Sequence, residues 1–332
     1  MALFLTEADV QALLPMERAL ECVEASMQAE AAGRTANRAR ERIILPQCSL
    51  HYMAAALLNN QWLGMKIYTV AHGDLRFIVL LFDAQSGRLL ALMQADHLGR
   101  LRTGAASGVA TKYMARRGAS RVGMIGTGRQ ARTQLEAVAK VRNLATARVF
   151  GQDENRCREF CREMSAQLGL AVEPAASAEE AVRFGEIVIT ATAARQPVVL
   201  GSWLEPGTHV NAIGANMADR RELDDAVLAR AAVIAVDSRE QARIEAGDLI
   251  QGLPVGQVGR GWDRVLELHA IVAGASPGRH AEQDITLFKS VGIALWDVAV
   301  AGYIYRQALE KGVGRQLGLE GTSADSKNPR QG

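Results

Sequence analysis

Cysteine is scarce, with four in 332 residues, so a disulfide framework is excluded. Cys157 and Cys161 stand four apart in NRCREFCREM and can share a helix face. No histidine or cysteine cluster accompanies them, which leaves no metal site. The six histidines are scattered, and neither HxxxH nor HExxH occurs. An excess of one charge is missing too: 38 basic side chains face 36 acidic ones, and no basic run is interleaved with aromatics. That balance excludes an extended nucleic-acid surface. No apolar run reaches the ~18 residues of a membrane span. The opening MALFLTEADVQALL carries acids among its first ten residues and lacks a basic leader region. The expectation is a soluble cytoplasmic protein that binds neither nucleic acid nor membrane.

What is present is an ordinary globular balance, 48% hydrophobic and 22% charged, over a length sufficient for two domains. TEADVQALLPMERALECVEASMQAEAAGR predicts two helices, with Thr6 and Asp9 at the first cap, Pro15 opening the second and Gly33 closing it. From about 40 to 95 short apolar runs follow one another, and DAQSGR between two of them predicts a hairpin in an antiparallel sheet. TGAASGVATKYMARRG is rich in small residues and helical in period, suited to close backbone approach. Beyond Gly118 the runs RVGMIG, ARVFG, EIVITAT, HVNAIG and AVIAVD alternate with helical stretches, which predicts five strands of a parallel, doubly wound sheet. TLFKSVGIALWDVAVAGYIYRQALEKG reads as one long closing helix, and GTSADSKNPRQG as a disordered tail.

The strongest local signal is RVGMIGTGRQARTQLEAVAKV. Gly126, Gly128 and Ala131 follow a strand and open an amphipathic helix. The first glycine permits the tight turn and the second lets backbone approach a pyrophosphate. Ala131 allows close helix–strand packing, and the free amides of the helix start face the anion. An acid near the end of the next strand would hold the ribose of NAD; here Gly151 stands at that place, with Asp153 two residues on. Arg148 and Arg156 are candidates to meet a 2′-phosphate, so the choice between NAD(H) and NADP(H) stays open, tilted slightly towards NADP.

In WLGMKIYTV, alternation puts Leu63, Met65, Ile67 and Thr69 on one face and Gly64, Lys66, Tyr68 and Val70 on the other. On composition alone Lys66 reads as an exposed edge charge.

GMK, LRTGAASGVATKYMAR, IGTGRQA, HVNAIGAN, RREL, VDSREQARIEAGDL and TLFKSVG, in that order over about 40–300, together resemble the ornithine cyclodeaminase/mu-crystallin family. The resemblance implies a homodimer of two-domain α/β subunits. Residues 1–115 and 290–332 would form an α+β substrate and dimerisation domain, and 116–289 a Rossmann NAD(P) domain. It implies that Lys66 is an active-site amine, that Arg42 (or Arg40, if the alignment slips) and Arg102 clamp a substrate carboxylate, and that Thr103 contacts the cofactor. Bidentate guanidinium–carboxylate pairing would fix an amino acid's α-carbon for hydride transfer. A solvated charge at a helix start is the bland alternative for Arg102. The further cofactor contacts implied are Thr127, Arg129, Gln130, Thr192, Ile213, Gly214, Arg220 and, near the nicotinamide, Ser290. His72 and His97 flank the region as possible pocket residues, and VDSREQARIEAGDL has no evident catalytic role.

One departure bears on activity. The cyclodeaminase carries an aspartate at the end of HVNAIGAN, where this chain has Asn216, which hydrogen-bonds but exchanges no proton at neutral pH. Asp219 is the neighbouring acid that could substitute. Asn216 would then orient substrate or water, and Lys66 is the best remaining proton donor. The reading is an NAD(P)H-dependent reductase of a small α-imino acid, or the reverse dehydrogenase. Ornithine cyclodeaminase is the first alternative, and a non-catalytic cofactor- or small-molecule-binding protein the second.

Overall fold

The structure, a computed structural model, describes residues 2–253 and 261–318. The expected tail from 321 onwards lies outside them. The chain folds around two eight-stranded sheets. The first is mixed and runs Arg315–Leu317, Ala2–Leu5, Leu89–Gln94, Asp74–Asp83, Trp62–Ala71, Cys48–Leu57 and Thr35–Asn37, with Glu41–Ile44 also paired to Cys48–Leu57. The 40–95 region is antiparallel as expected, and the turn after Asp83 is the DAQSGR hairpin. A short strand the sequence reading omitted, Ala2–Leu5, pairs parallel with Leu89–Gln94 and antiparallel with Arg315–Leu317.

The second sheet is parallel throughout, in the order Ala171–Pro174, Thr146–Phe150, Arg121–Ile125, Ile187–Thr190, His209–Ala212, Ile285–Lys289, Ala231–Val236, Val265–Glu267. It contains the five expected strands and three more. Ala171–Pro174 and Val265–Glu267 are short edge strands. Ile285–Lys289 corrects the long closing helix: TLFK is a strand buried at every residue, and such a strand carries no alternation to distinguish it from a helix. Gly292, with φ +78°, turns the chain before the true closing helix, Ala294–Lys311.

Both expected N-terminal helices form, Glu7–Leu13 and Met16–Ala31. Thr6 and Asp9 make a reciprocal capping box on the first. The small-residue helix spans Asp96–Met114 and packs on the helix Ala131–Val141 behind the glycine turn. A Cβ on Gly104 would lie 2.3 Å from the Thr133 carbonyl oxygen, and one on Gly108 3.1 Å from that of Ala137. Small residues are thus what lets these backbones meet. The closing helix returns to the first sheet, where Gly302 lies flat against the Trp62 ring.

Candidate active site

A cavity of about 570 Å³ opens where the strands around Lys66, the Asp96–Met114 helix and the C-terminal strand ends of the parallel sheet converge. Ligands of open α/β sheets bind in that position. Lys66 lies inside, not on an edge. Its face of the strand (Gly64, Lys66, Tyr68) is buried, while Leu63 and Thr69 opposite are exposed. Only 3% of Lys66 is accessible, and Nζ donates to Asp297 Oδ1 at 2.9 Å. The amine passes Gly99, where a Cβ would sit 2.9 Å from Nζ. Burial, and then the Arg102 charge, lower its pKa to about 8 against the opposing pull of Asp297.

Arg102 stands in the second turn of its helix, since that helix begins at Asp96, and it is 5% exposed. The solvated helix-start reading therefore fails. Its anion is again Asp297, to whose Oδ1 its Nε donates at 2.9 Å. Neither Nη of Arg102 has a hydrogen-bond partner among the described residues, so that edge of the fork is free for a carboxylate.

Arg40 and Arg42 both reach the cavity and both pair with the buried Glu245. Arg40 also gives Nη2 to the carbonyls of Val291 and Gly292, at 3.0 and 3.1 Å. Arg42 engages Glu245 and the Asn216 carbonyl through Nη2 alone, leaving Nε and Nη1 without partners among the described residues. Arg40 is left with Nε alone, so of the two Arg42 has more donors to spare.

Asn216 lines the cavity. Asp219 does not; its side chain is 63% exposed and faces Arg195 at 3.6 Å. His72 sits at a hairpin tip with φ +50°, and His97 is outside the cavity lining as well. The histidine that does line it, His51, went unnoticed in the sequence. It stacks on Tyr68 with ring centroids 4.4 Å apart, and Tyr68 meets Phe77 at 5.0 Å. Burial and the charges of Arg42 and Arg40 lower the His51 pKa to about 4, so it is neutral at physiological pH.

The glycine turn fits a dinucleotide. Gly126 has φ +107°, and a Cβ there would lie 2.5 Å from the Ala191 carbonyl oxygen. A Cβ on Gly128 would meet nothing closer than 3.9 Å, so backbone there is open to a ligand. The amides of Thr127, Gly128, Arg129 and Gln130 have no partner among the described residues, the state an incoming pyrophosphate requires. Ala131 is fully buried at the helix start. Thr103, Arg129, Gln130, Thr192, Ile213, Gly214, Arg220 and Ser290 also line the cavity. Gly126, Thr127, Ala131 and Gly151 support the turn without lining it. A Cβ on Gly151 would lie 3.1 Å from the Thr127 side chain, which would have to shift for an acid to stand there. Asp153 caps the next helix by accepting from the Arg156 amide, and Arg148 pairs with Glu180.

The acidic motif without an evident role proves to be scaffolding. Asp237 accepts from Ser290 Oγ and from the amides of Val291 and Gly292. Glu245 holds the two arginines. Asp248 pairs with Lys289 and accepts from the amides of Glu222 and Leu223. Glu222 in turn accepts from Thr190, Thr192, Gly214 and Ala215, tying together two strand ends of the cofactor side. The sequence signal for such roles is an acid set in an apolar run, as Asp297 is in ALWDVAVAG.

The family model for the ornithine cyclodeaminase/mu-crystallin family matches residues 1–312. An alanine dehydrogenase of Archaeoglobus fulgidus is 34% identical over 329 residues, covering 95% of this chain and 98% of that protein. A Δ(1)-pyrroline-2-carboxylate reductase of Bacillus cereus is 37% identical, covering 77% of this chain and 80% of its own. The solved structure of the Thermococcus litoralis Δ(1)-pyrroline-2-carboxylate reductase, in complex with NADH and L-proline, superposes with a TM-score of 0.90 at 37% identity. That match covers 95% of this chain and all of that one. With its motifs, its two sheets and its cavity in place, the chain belongs to the ornithine cyclodeaminase/mu-crystallin family.

Proposed function

We propose that this protein is an NAD(P)H-dependent reductase of small cyclic α-imino acids, of the Δ(1)-pyrroline-2-carboxylate type, giving the L-amino acid. The chain is an NAD(P)-dependent oxidoreductase acting on carbon–nitrogen bonds. The observation that carries the substrate class is the charge balance of the cavity. At the inner end of the cavity Arg40, Arg42, Lys66 and Arg102 are balanced by Glu245 and Asp297 behind the lining; towards the glycine turn Arg100 and Arg129 share Asp96, and Arg220 adds a further cation, so the lining keeps an excess of positive charge for a substrate carboxylate. Glu245 and Asp297 are engaged with those cations and Asp96 with Arg100 and Arg129, so each of these carboxylates is taken before a distal ammonium arrives. The wall beyond is His51, Met53, Tyr68, Val70 and Phe77, neutral and largely apolar. A ring imine fits that wall, whereas the δ-ammonium of ornithine would be left unpaired.

A bound nicotinamide dinucleotide supplies the hydride in reduction and takes it in the reverse reaction. The free edges of Arg42 and Arg102 hold the carboxylate and fix the reacting carbon. Lys66, beside the same carboxylate, gives its proton to the imine nitrogen, and the fixed cations stabilise the charge that develops. Asn216 orients substrate or water, and the amides of 127–130 receive the pyrophosphate. Beyond Gly151, Asp153 is engaged in capping the next helix and Arg156 follows it, so the cofactor is NADH or NADPH.

The outer face of the first sheet, with Ile43, Leu50, Leu63, Met65, Ile67 and Ile78 in register, has no covering layer among the described residues, and Leu63 is 43% exposed. A second copy covers it in a homodimer. Among the described residues no helix is long and apolar enough to cross a membrane, and the enzyme works in the cytoplasm.

The test is oxidation of NADH and NADPH against cyclic imines, and against α-keto acids with ammonia or methylamine, with L-ornithine alongside. Stoichiometric oxidation with a cyclic imine, and none with ornithine, supports the reading. Conversion of ornithine to proline without net cofactor consumption would return the cyclodeaminase to first place.

A further inference from the structure

Asp297 is the buried group that the proposed chemistry does not use directly. It is absent from the cavity lining, fully inaccessible, and carried by a helix whose neighbouring residues are apolar. One oxygen, Oδ1, accepts from both Lys66 Nζ and Arg102 Nε, each at 2.9 Å. The other, Oδ2, is buried with no partner. Two cations from different elements, a strand and a helix, are therefore pinned to a single point behind the cavity. The space around them is shaped to match. Gly99 leaves room for the amine, and Gly292 lets backbone lie on the Arg102 fork, where a Cβ would come within 2.5 Å of Nη1.

We propose that Asp297 is a positioning residue: its one carboxylate fixes both the place of Lys66 and the pH range over which that amine donates its proton. The proposal rests on Lys66 being the proton donor. The groups facing Lys66 are few. Arg102 comes from the Asp96–Met114 helix and Arg40 from the segment before Glu41–Ile44. The Phe77 ring lies 5.3 Å from Nζ on the adjacent strand, and Asp297 comes from the closing helix. Glu245 stands behind Arg40. Among the described residues Asp297 is the one anion in direct contact with the amine. Without its charge, burial and two arginines act unopposed and favour the neutral amine. Without Arg102, the carboxylate serves Lys66 alone and the charged amine is favoured. The two changes thus have opposite signs, and the downward one, on loss of the Asp297 charge, is what a merely structural carboxylate does not predict.

The experiment is the pH profile of kcat/KM for cyclic-imine reduction at saturating NADH, for the wild type, Asp297→Asn, Arg102→Gln and Lys66→Met, with thermal unfolding measured in parallel. Asn keeps an acceptor oxygen near both cations while removing the charge. The imine's own titration is common to all four proteins and cancels in the comparison. The wild-type rate falls as pH rises through the Lys66 range. Asp297→Asn moves that fall to lower pH by about one unit or more, and Arg102→Gln moves it to higher pH, whatever either does to the maximal rate. Arg102→Gln keeps the proposal testable if Asp297→Asn does not fold, because an unmoved or lowered fall in that variant also contradicts it. A fall that stays in place in folded Asp297→Asn, with the rate reduced uniformly, overturns the positioning role and leaves Asp297 a packing counter-ion. A fall that persists in Lys66→Met overturns the reading of Lys66 beneath it.

Discussion

At the scale of single residues, the site depends on how a few buried charges are paired. Lys66 was open to two interpretations in the sequence because alternation fixes which face a side chain occupies, not which face is covered. Covering comes from the closing helix and from Asp96–Met114, both distant in sequence. Asp297 and Glu245 escaped notice for a related reason: their partners lie 231 and 205 residues away, beyond any local pattern. Lys66→Ala is expected to lower kcat for imine reduction by ~10²–10⁴-fold, the range for a lost general acid, with cofactor affinity little changed. Steady-state kinetics with NADH fluorescence titration checks both parts. His209 gives a separate, pH-dependent expectation. It is fully buried, bonded to Thr286 and Asn211, and burial lowers its pKa to about 3. The unfolded chain takes up the proton near pH 6.5 and the folded one does not. The stabilisation is complete above about 6.5 and declines as pH falls towards about 3. His209→Gln should flatten that part of the curve of unfolding free energy against pH, measured with urea.

At the scale of elements, the glycine turn was legible because its chemistry is local: three small residues, a strand before and a helix after. The Ile285–Lys289 strand was not, because burial on both faces removes the alternation that marks a strand. The ends of the parallel strands are held by Glu222, which gathers donors from the 190–192 and 213–215 segments. Glu222→Ala leaves those donors buried and unpaired. It should weaken NADH binding at least tenfold and lower stability by roughly 3 kcal/mol or more, given ~1–3 kcal/mol for each unsatisfied group. Isothermal titration and denaturant unfolding read the two effects. Packing of the closing helix is equally specific. A Cβ on Gly302 would overlap the Trp62 ring at 2.0 Å, so Gly302→Ala should cost about 1–3 kcal/mol by overpacking, seen as a lower Tm.

At the scale of the whole molecule, the proposed reaction draws different parts from the two sheets. The parallel sheet presents the amides for the dinucleotide, and the first sheet presents Lys66 and the aromatic wall. The network from Arg40 and Arg42 to Glu245 joins the two across the cavity. The order of the motifs in the sequence revealed the overall plan, but not that acids of VDSREQARIEAGDL would bind arginines of the first sheet. The outer face of that sheet is the basis for the proposed dimer. Leu63→Glu with Ile78→Glu places charges on it and should yield monomers in sedimentation analysis, while leaving the glycine turn untouched.

The most direct measurement of the central claim uses NADH carrying deuterium at the transferring position, with Δ(1)-pyrroline-2-carboxylate as acceptor. Reduction predicts one deuterium at the α-carbon of the L-proline formed for each NADH consumed. No NADH consumption with that acceptor, while L-ornithine supplied in its place yields proline without deuterium from the added NADH, would contradict it.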